Sequence, residues 1–252
     1  MAKVIIISQA RIGSKRFPRK ILKEINGESL LAVHLKRLKK SNAASLVIVA
    51  TTFEKGVEEI ISIANELGVK YFQGSTENVL DRFYQAVKNY NPDYIVRVTS
   101  DCPLIDGELI DSVVKFTIER KLDYCSNALI ESYPDGQDIE VIKWSAFEYS
   151  WQNSKSKIEL EHVTPFIRQN CDFNGGSLFS SSNFESSVNY GSIRMTVDEP
   201  DDFKAIKVLI KKMGVDSDWR TYAKYIIDNP LKFTNQQIIR NEGYFNSTKK
   251  MK

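Results

Sequence analysis

The chain is short of the residues that build common metal and redox sites. It holds three Cys (Cys102, Cys125 and Cys171) and two His (His34 and His162) in 252 residues. Three scattered Cys are too few for a disulfide framework or a zinc site. Long apolar runs are missing too: nothing approaches the roughly 20 residues of a membrane span. The apolar start at residues 4–7 runs straight into Gln9 and Arg11, unlike a secretory signal. An excess of one charge is also absent. Thirty-five basic residues face 32 acidic ones, a net +3, which argues against a dedicated nucleic-acid binder. These absences predict a soluble, reduced, cytoplasmic protein with neither membrane nor nucleic-acid partners. The remaining composition, 42% hydrophobic and 27% charged, is ordinary globular and long enough to bury a core.

What is present is an alternation of two periodicities. β-Branched or apolar runs at residues 4–7, 46–50, 69–72 and 94–98 predict strands buried on both faces. Helical patterns at residues 30–39, 55–67, 78–89 and 108–120 separate them. That order predicts an α/β fold with a mostly parallel twisted sheet covered by helices on both faces. Farther on, residues 139–142 suit a strand, 144–151 a short helix and 159–169 a helix despite Pro165. Residues 180–187 look loop-like, 194–197 suit a late strand, and a helix spans about 203–213. We read one domain over residues 1–252, with a small inserted segment at about 125–150 and a frayed tail at 246–252. Ligands in such sheets lie beyond the carboxyl ends of the strands.

One loop there is unusual. Residues 10–20, after the first strand, hold Ala10, Arg11, Gly13, Ser14, Lys15, Arg16, Pro18, Arg19 and Lys20. Glycine lets the backbone approach a ligand closely, Arg offers forked donors and Lys a point charge. Together they suit a polyphosphate, although a solvated basic turn would read the same way. Two acids follow other strands: Asp101 after residues 94–98, and Asp198 after residues 194–197. If those strands are neighbours, the two carboxylates and phosphate oxygens can hold Mg²⁺. Alternatively each Asp caps the next helix.

Three motifs in this order resemble the cytidylyltransferases that include the CMP-Kdo and CMP-sialate synthetases. They are Arg11-x-Gly13-Ser14-x-Arg16-x-Pro18-x-Lys20, Thr99-Ser100-Asp101-Cys102-Pro103, and Thr196-Val197-Asp198-Glu199-Pro200. Residues 74–83, Tyr133-Pro134-Asp135-Gly136-x-Asp138-x-Glu140 and Glu161-His162-Val163-Thr164 add likeness to the spore-coat polysaccharide (SpsF-like) branch. The resemblance spans about residues 3–210. It implies a Rossmann-like (GT-A-like) nucleotidyltransferase fold and a Mg²⁺-dependent transfer of CMP from CTP to a small acceptor, with pyrophosphate released. The acceptor would be a sugar acid or a phosphorylated small molecule, made into a precursor of a surface glycan such as capsule.

The resemblance implies that Arg11, Arg16, Lys20 and Asp101 are catalytic. Ala10, Gly13, Ser14, Gly74, Ser75, Asn78, Val79, Arg82, Thr99 and Ser100 join them in binding the nucleotide. Asp101 and Asp198 would hold the metal. Tyr133, Asp138, Glu140, Glu161, His162 and Arg194 would line the acceptor side. A homodimer is implied as well. Ser100 departs from the Gly that many relatives carry before the Asp. By residue type, His162 suits acceptor contact or proton transfer as well as a structural hydrogen bond, and His34, among leucines, suits the core. A glycosyltransferase of the same fold would be favoured by an acid-x-acid motif, which Ser100-Asp101-Cys102 is not. A non-catalytic assembly protein would be favoured by loss of the basic loop or either Asp, and all are present.

Overall fold

The computed structural model describes residues 2–14 and 16–240; the expected frayed tail at 246–252 lies outside the described residues. The chain opens with β1 (Val4–Gln9), β2 (Glu24–Ile25), β3 (Glu28–Ser29) and α1 (Leu30–Leu38). Then come β4 (Leu46–Thr51), α2 (Glu58–Glu66), β5 (Lys70–Gln73), α3 (Val79–Val87), β6 (Tyr94–Thr99), α4 (Gly107–Glu119), β7 (Tyr124–Ser126) and β8 (Glu140–Lys143). The chain continues through α5 (Trp144–Asn153), α6 (Lys157–His162), α7 (Pro165–Asn170), β9 (Ser181–Asn183), α8 (Pro200–Met213) and α9 (Trp219–Asp228). No helix among the described residues is long and apolar enough to cross a membrane.

Seven strands form one sheet in the order β5-β4-β1-β6-β8-β7-β9. β5, β4, β1 and β6 run parallel, whereas β8 is antiparallel to both β6 and β7. Alternation sends successive side chains of each strand to opposite faces. Val4 and Ile6 pack with α1, α2, α4, α8 and α9 on one face. Ile5 and Ile7 pack with α3, α5 and α7 on the other. The run Val4-Ile5-Ile6-Ile7 is continuous because both of its faces are covered. The chain winds from β1 outward through β4 to β5, then crosses to β6 on β1's other side. That reversal is a topological switch point, the place where such sheets bind ligands.

Local signals account for the boundaries. Ser29, Asn78, Asp106 and Asp218 cap α1, α3, α4 and α9 by accepting backbone N–H bonds. Asn26 and Gly27 adopt positive φ (55° and 80°) in the turn between β2 and β3, an Asn-Gly hairpin signal that the periodicity reading passed over.

Three expectations are corrected. Residues 194–197 form no strand: one isolated bridge joins Arg194 to Asp135, and Val197 N donates to Asp101 O at 2.8 Å. The segment is held by single tethers, not by a ladder. Residues 159–169 are two helices, because Pro165 begins α7 and Val163 turns to φ 73°. Residues 180–187 include strand β9, whose run of Ser and Asn carries no apolar alternation. Residues 125–150 supply β8, which lies between β6 and β7 inside the sheet.

Candidate active site

The loop after β1 folds back across the carboxyl end of the sheet. Lys20 lies in its last turn, and its Nζ donates to Asp101 Oδ2 at 2.8 Å and Asp198 Oδ1 at 2.7 Å. Two acids separated by 97 positions therefore bracket one cation. Arg16 Nη2 adds a contact to Asp198 Oδ1 at 2.9 Å. Burial pushes the Asp101 carboxyl up, but the Lys20 ammonium outweighs it and holds Asp101 well below the usual carboxylate range. Burial likewise pulls Lys20 down, and the two carboxylates more than restore it.

Asp198 does not cap α8. Glu199 is the cap residue and shares a capping box with Asp202, so the Asp198 carboxylate turns toward Lys20. The Asp101 turn is anchored from below. The buried His34 bridges Ser8 Oγ and the Cys102 carbonyl, each at 2.8 Å. With Nδ1 protonated, His34 donates to the carbonyl and accepts from Ser8. Burial, more than any neighbour, lowers its pKa to about 4, so it stays neutral.

A cavity of about 360 Å³ runs from these acids to Ala128, Glu131, Asp135, Asp138, Glu140, His162, Thr164 and Arg168. The Val163 kink is what lets His162 and Thr164 both line it. Glu140 is 5% exposed, pairs with Arg97 and accepts from Tyr124 Oη at 2.6 Å. Burial pushes its carboxyl up, but Arg97 and Arg168 pull it below its ordinary value. Asp135 goes the other way: burial and then the Asp138 charge raise it to about 7, against Arg240 and Arg194. His162 is lowered by burial, with Glu161 opposing.

The predicted residues thus separate by place. Arg16, Lys20, Asp101 and Asp198 meet at the acid pair. Arg11 and Gly13 are exposed in the loop above, and Ser14 Oγ braces it by accepting from Phe17 N at 3.3 Å. Ala10, Val79 and Ser100 are buried. Ser75 Oγ and Asn78 Oδ1 accept backbone N–H bonds at the start of α3. Gly74 leaves room for Arg82, whose side chain would lie 2.9 Å from an added Cβ. Arg82 is fully buried; Nη1 donates to Ser75 O at 2.6 Å, while Nε and Nη2 find no partner among the described residues. Burial and the Arg11 charge lower its pKa to about 10. Thr99 lines the cavity.

Asp138, Glu140 and His162 line the acceptor half. Glu161 is half-buried on α6. Tyr133 and Arg194 do not reach the cavity with their side chains. Tyr133 packs on Phe184 and Trp219. The Arg194 guanidinium is committed to Asp202, Asp135 and Asp198. The periodicity reading missed Arg97, Glu131, Arg168 and Arg240. Arg97 shares the β6 face of Ile95, a two-residue alternation that was available to find it; the others depend on chain return and carry no local signal.

Two carboxylates on opposite loops suit a divalent cation. No group of three or more His, Cys, Asp or Glu residues placed to hold a metal occurs among the described residues. That donor set fits Mg²⁺, which usually takes one or two carboxylates and leaves its other positions to phosphates and water.

Comparison with known proteins gives a consistent outcome. The profile of the family described as "Cytidylyltransferase" matches residues 4–236. An uncharacterised protein of Methanocaldococcus jannaschii is 38% identical over 96% of this chain and 98% of its own length. The spore coat polysaccharide biosynthesis protein SpsF of Bacillus subtilis is 30% identical over 85% of this chain and 89% of its own. Among solved structures, a cytidylyltransferase from Leptospira borgpetersenii superposes with a TM-score of 0.87 and 30% identity, covering 95% of this chain and 100% of that one.

Proposed function

Because the chain belongs to the cytidylyltransferase family, we propose that it transfers CMP from CTP to a small sugar-acid or phosphorylated acceptor, with Mg²⁺, releasing pyrophosphate. The product would feed synthesis of a surface polysaccharide, as the name of the SpsF relative suggests. The observation that carries this reading is the meeting of Asp101 and Asp198 around a single cation beside the basic loop.

The acceptor oxygen attacks the α-phosphorus, a new P–O bond forms, and the bond to the β-phosphate oxygen breaks. Bound by Asp101 and Asp198, Mg²⁺ would neutralise phosphate charge. Every other contribution comes from the chain. Arg11, Arg16 and Lys20 hold the β- and γ-phosphates and stabilise charge on the leaving pyrophosphate. The loop amides around Gly13 approach the phosphates closely, since no Cβ intervenes. Arg82, buried beneath Gly74, holds the turn that opens α3 through its bond to the Ser75 carbonyl and so sets the Ser75–Asn78 backbone beside the nucleotide. The acids and arginines of the cavity orient the acceptor, and catalysis is chiefly alignment and charge stabilisation.

The test is pyrophosphate release with each common nucleoside triphosphate, with and without Mg²⁺, across sugar acids and phosphorylated small molecules. Release is expected with CTP alone among them; no release with any pair overturns the reading. Asp101→Ala should abolish Mg²⁺-dependent turnover, and a near-parental rate would overturn the metal assignment. We also propose a homodimer in the cytoplasm; a monomer in sedimentation at working concentration rejects the dimer.

A further inference from the structure

Arg240 lies four residues past the stretch shared with the family, which ends at 236, yet it bonds Asp138 in the wall of the cavity's acceptor half. Its delivery is firm. Asn235 is 1% exposed and donates to Asp202 Oδ1 at 3.0 Å. Gln236 exchanges two bonds with the Arg194 backbone: it accepts from N at 2.7 Å and donates to O at 2.9 Å. From that anchor the Arg240 side chain, 11% exposed, sends Nη2 to Asp138 Oδ1 at 2.5 Å. Nη1 donates to the Tyr133 carbonyl at 3.0 Å, and Nε stands 3.4 Å from Glu131 Oε1. One planar fork thus ties the C-terminal segment to the Tyr133–Asp138 turn.

We propose that Arg240 is a positioning residue for the acceptor, fixing the Asp138 carboxylate in the wall of the cavity so that it accepts hydrogen bonds from acceptor hydroxyl or amine groups. This inference rests on the transfer reading above. The electrostatics explain why a cation is needed there. Asp138 is faced by Glu140, Glu131 and Asp135 as well as by Arg240 and Arg168. Burial, then Glu140 and Glu131, drive its carboxyl upward, and Arg240 is the strongest group pulling it down. Without Arg240 the carboxylate turns away or takes up a proton, and a carboxyl that has become a donor repels the hydroxyl hydrogens it should receive. Lysine is an imperfect substitute: it keeps a charge against Asp138 but cannot also span to the Tyr133 carbonyl.

Two measurements test this. In the first, Arg240→Gln and Arg240→Lys are compared with the parent, using CTP and the acceptor found in the pyrophosphate screen. Arg240→Gln should raise the acceptor KM roughly 10- to 100-fold, the range for losing a hydrogen bond to a charged group. The KM for CTP should stay within about twofold, and Arg240→Lys should recover part of the loss. Equal changes in both KM values, or an unchanged acceptor KM, overturn the proposal. The second measurement needs no acceptor. The Asp138 carboxyl, identified with Asp138→Asn, is titrated by ¹³C NMR in the parent and in Arg240→Gln. Its midpoint should rise by about one pH unit or more; an unmoved midpoint overturns the proposal. Absence of any transfer in the screen would refute the transfer reading, while the titration still decides Arg240's hold on Asp138.

Discussion

Replacing Arg194 by Met should unfold the chain at a markedly lower temperature, although Arg194 sits outside the cavity. Its side chain is 4% exposed, and its Nε and Nη2 grip both oxygens of Asp202 at 2.8 and 2.9 Å. Asp202 is fully buried. Burial pushes its carboxyl up, and the Arg194 bond and the Asp198 N–H more than reverse this. Removing one partner of a buried pair costs about 3–5 kcal/mol, because the other charge stays buried alone. Asp135 and Asp198 also face Arg194, at 2.7 and 3.5 Å, and the figure counts the Asp202 pair alone. Spread over an unfolding entropy of about 0.5 kcal/mol/K for a chain of this size, that loss lowers Tm by about 6–10 °C. The sign follows from linkage. A carboxyl held below its unfolded pKa stabilises above that pKa, so the deficit is full at neutral pH and shrinks as pH falls through the folded value. Calorimetry of Arg194→Met, and of Arg194→Met with Asp202→Asn, is the assay. The double variant should recover part of the loss, since it removes the stranded charge. A single variant melting within about 2 °C of the parent, or a double variant no better, refutes the argument.

Two further outcomes are expected. His34 is held near pKa 4 against an ordinary 6.5, so the folded state must stay neutral where the unfolded state binds a proton. Stability should be full above pH 6.5 and fall by about 3 kcal/mol as pH drops toward 4; in His34→Gln this component should vanish from a denaturant series against pH. Gly136→Ala places a Cβ 2.7 Å from the Met195 and Thr196 backbone at φ 107°. It should cost about 2–3 kcal/mol and loosen the Asp135–Arg194 bridge. A thermal melt unchanged from the parent would contradict the close approach.

The sequence carried local signals well. The four early strands and their helices were legible because β-branched runs and amphipathic spacing are short-range properties, and residues such as Asn78 and Asp106 mark helix starts by their own side chains. The basic loop and Asp101 were legible as motif and position. Asp198 was placed correctly in space on a wrong premise. It was expected beside Asp101 through a strand at residues 194–197, whereas the chain arrives there on one β-bridge, single backbone bonds and the Arg194 ion pairs. The family resemblance set Arg194 and Tyr133 on the acceptor side, although the type of Tyr133 also suits a core residue. The structure turns both inward.

By itself, then, the sequence determined which elements form, that they alternate into a covered parallel sheet, and that a cationic loop follows the first strand. These depend on neighbours a few positions apart, where side-chain chemistry and backbone preference act directly. Tertiary structure alone decided that Lys20 closes the space between Asp101 and Asp198, that the Val163 kink brings His162 and Thr164 to one wall, and that Arg240 returns to Asp138. Such contacts join positions up to 178 residues apart. Their energies depend on burial and on the count of charges sharing one small volume, and no window of sequence contains either quantity.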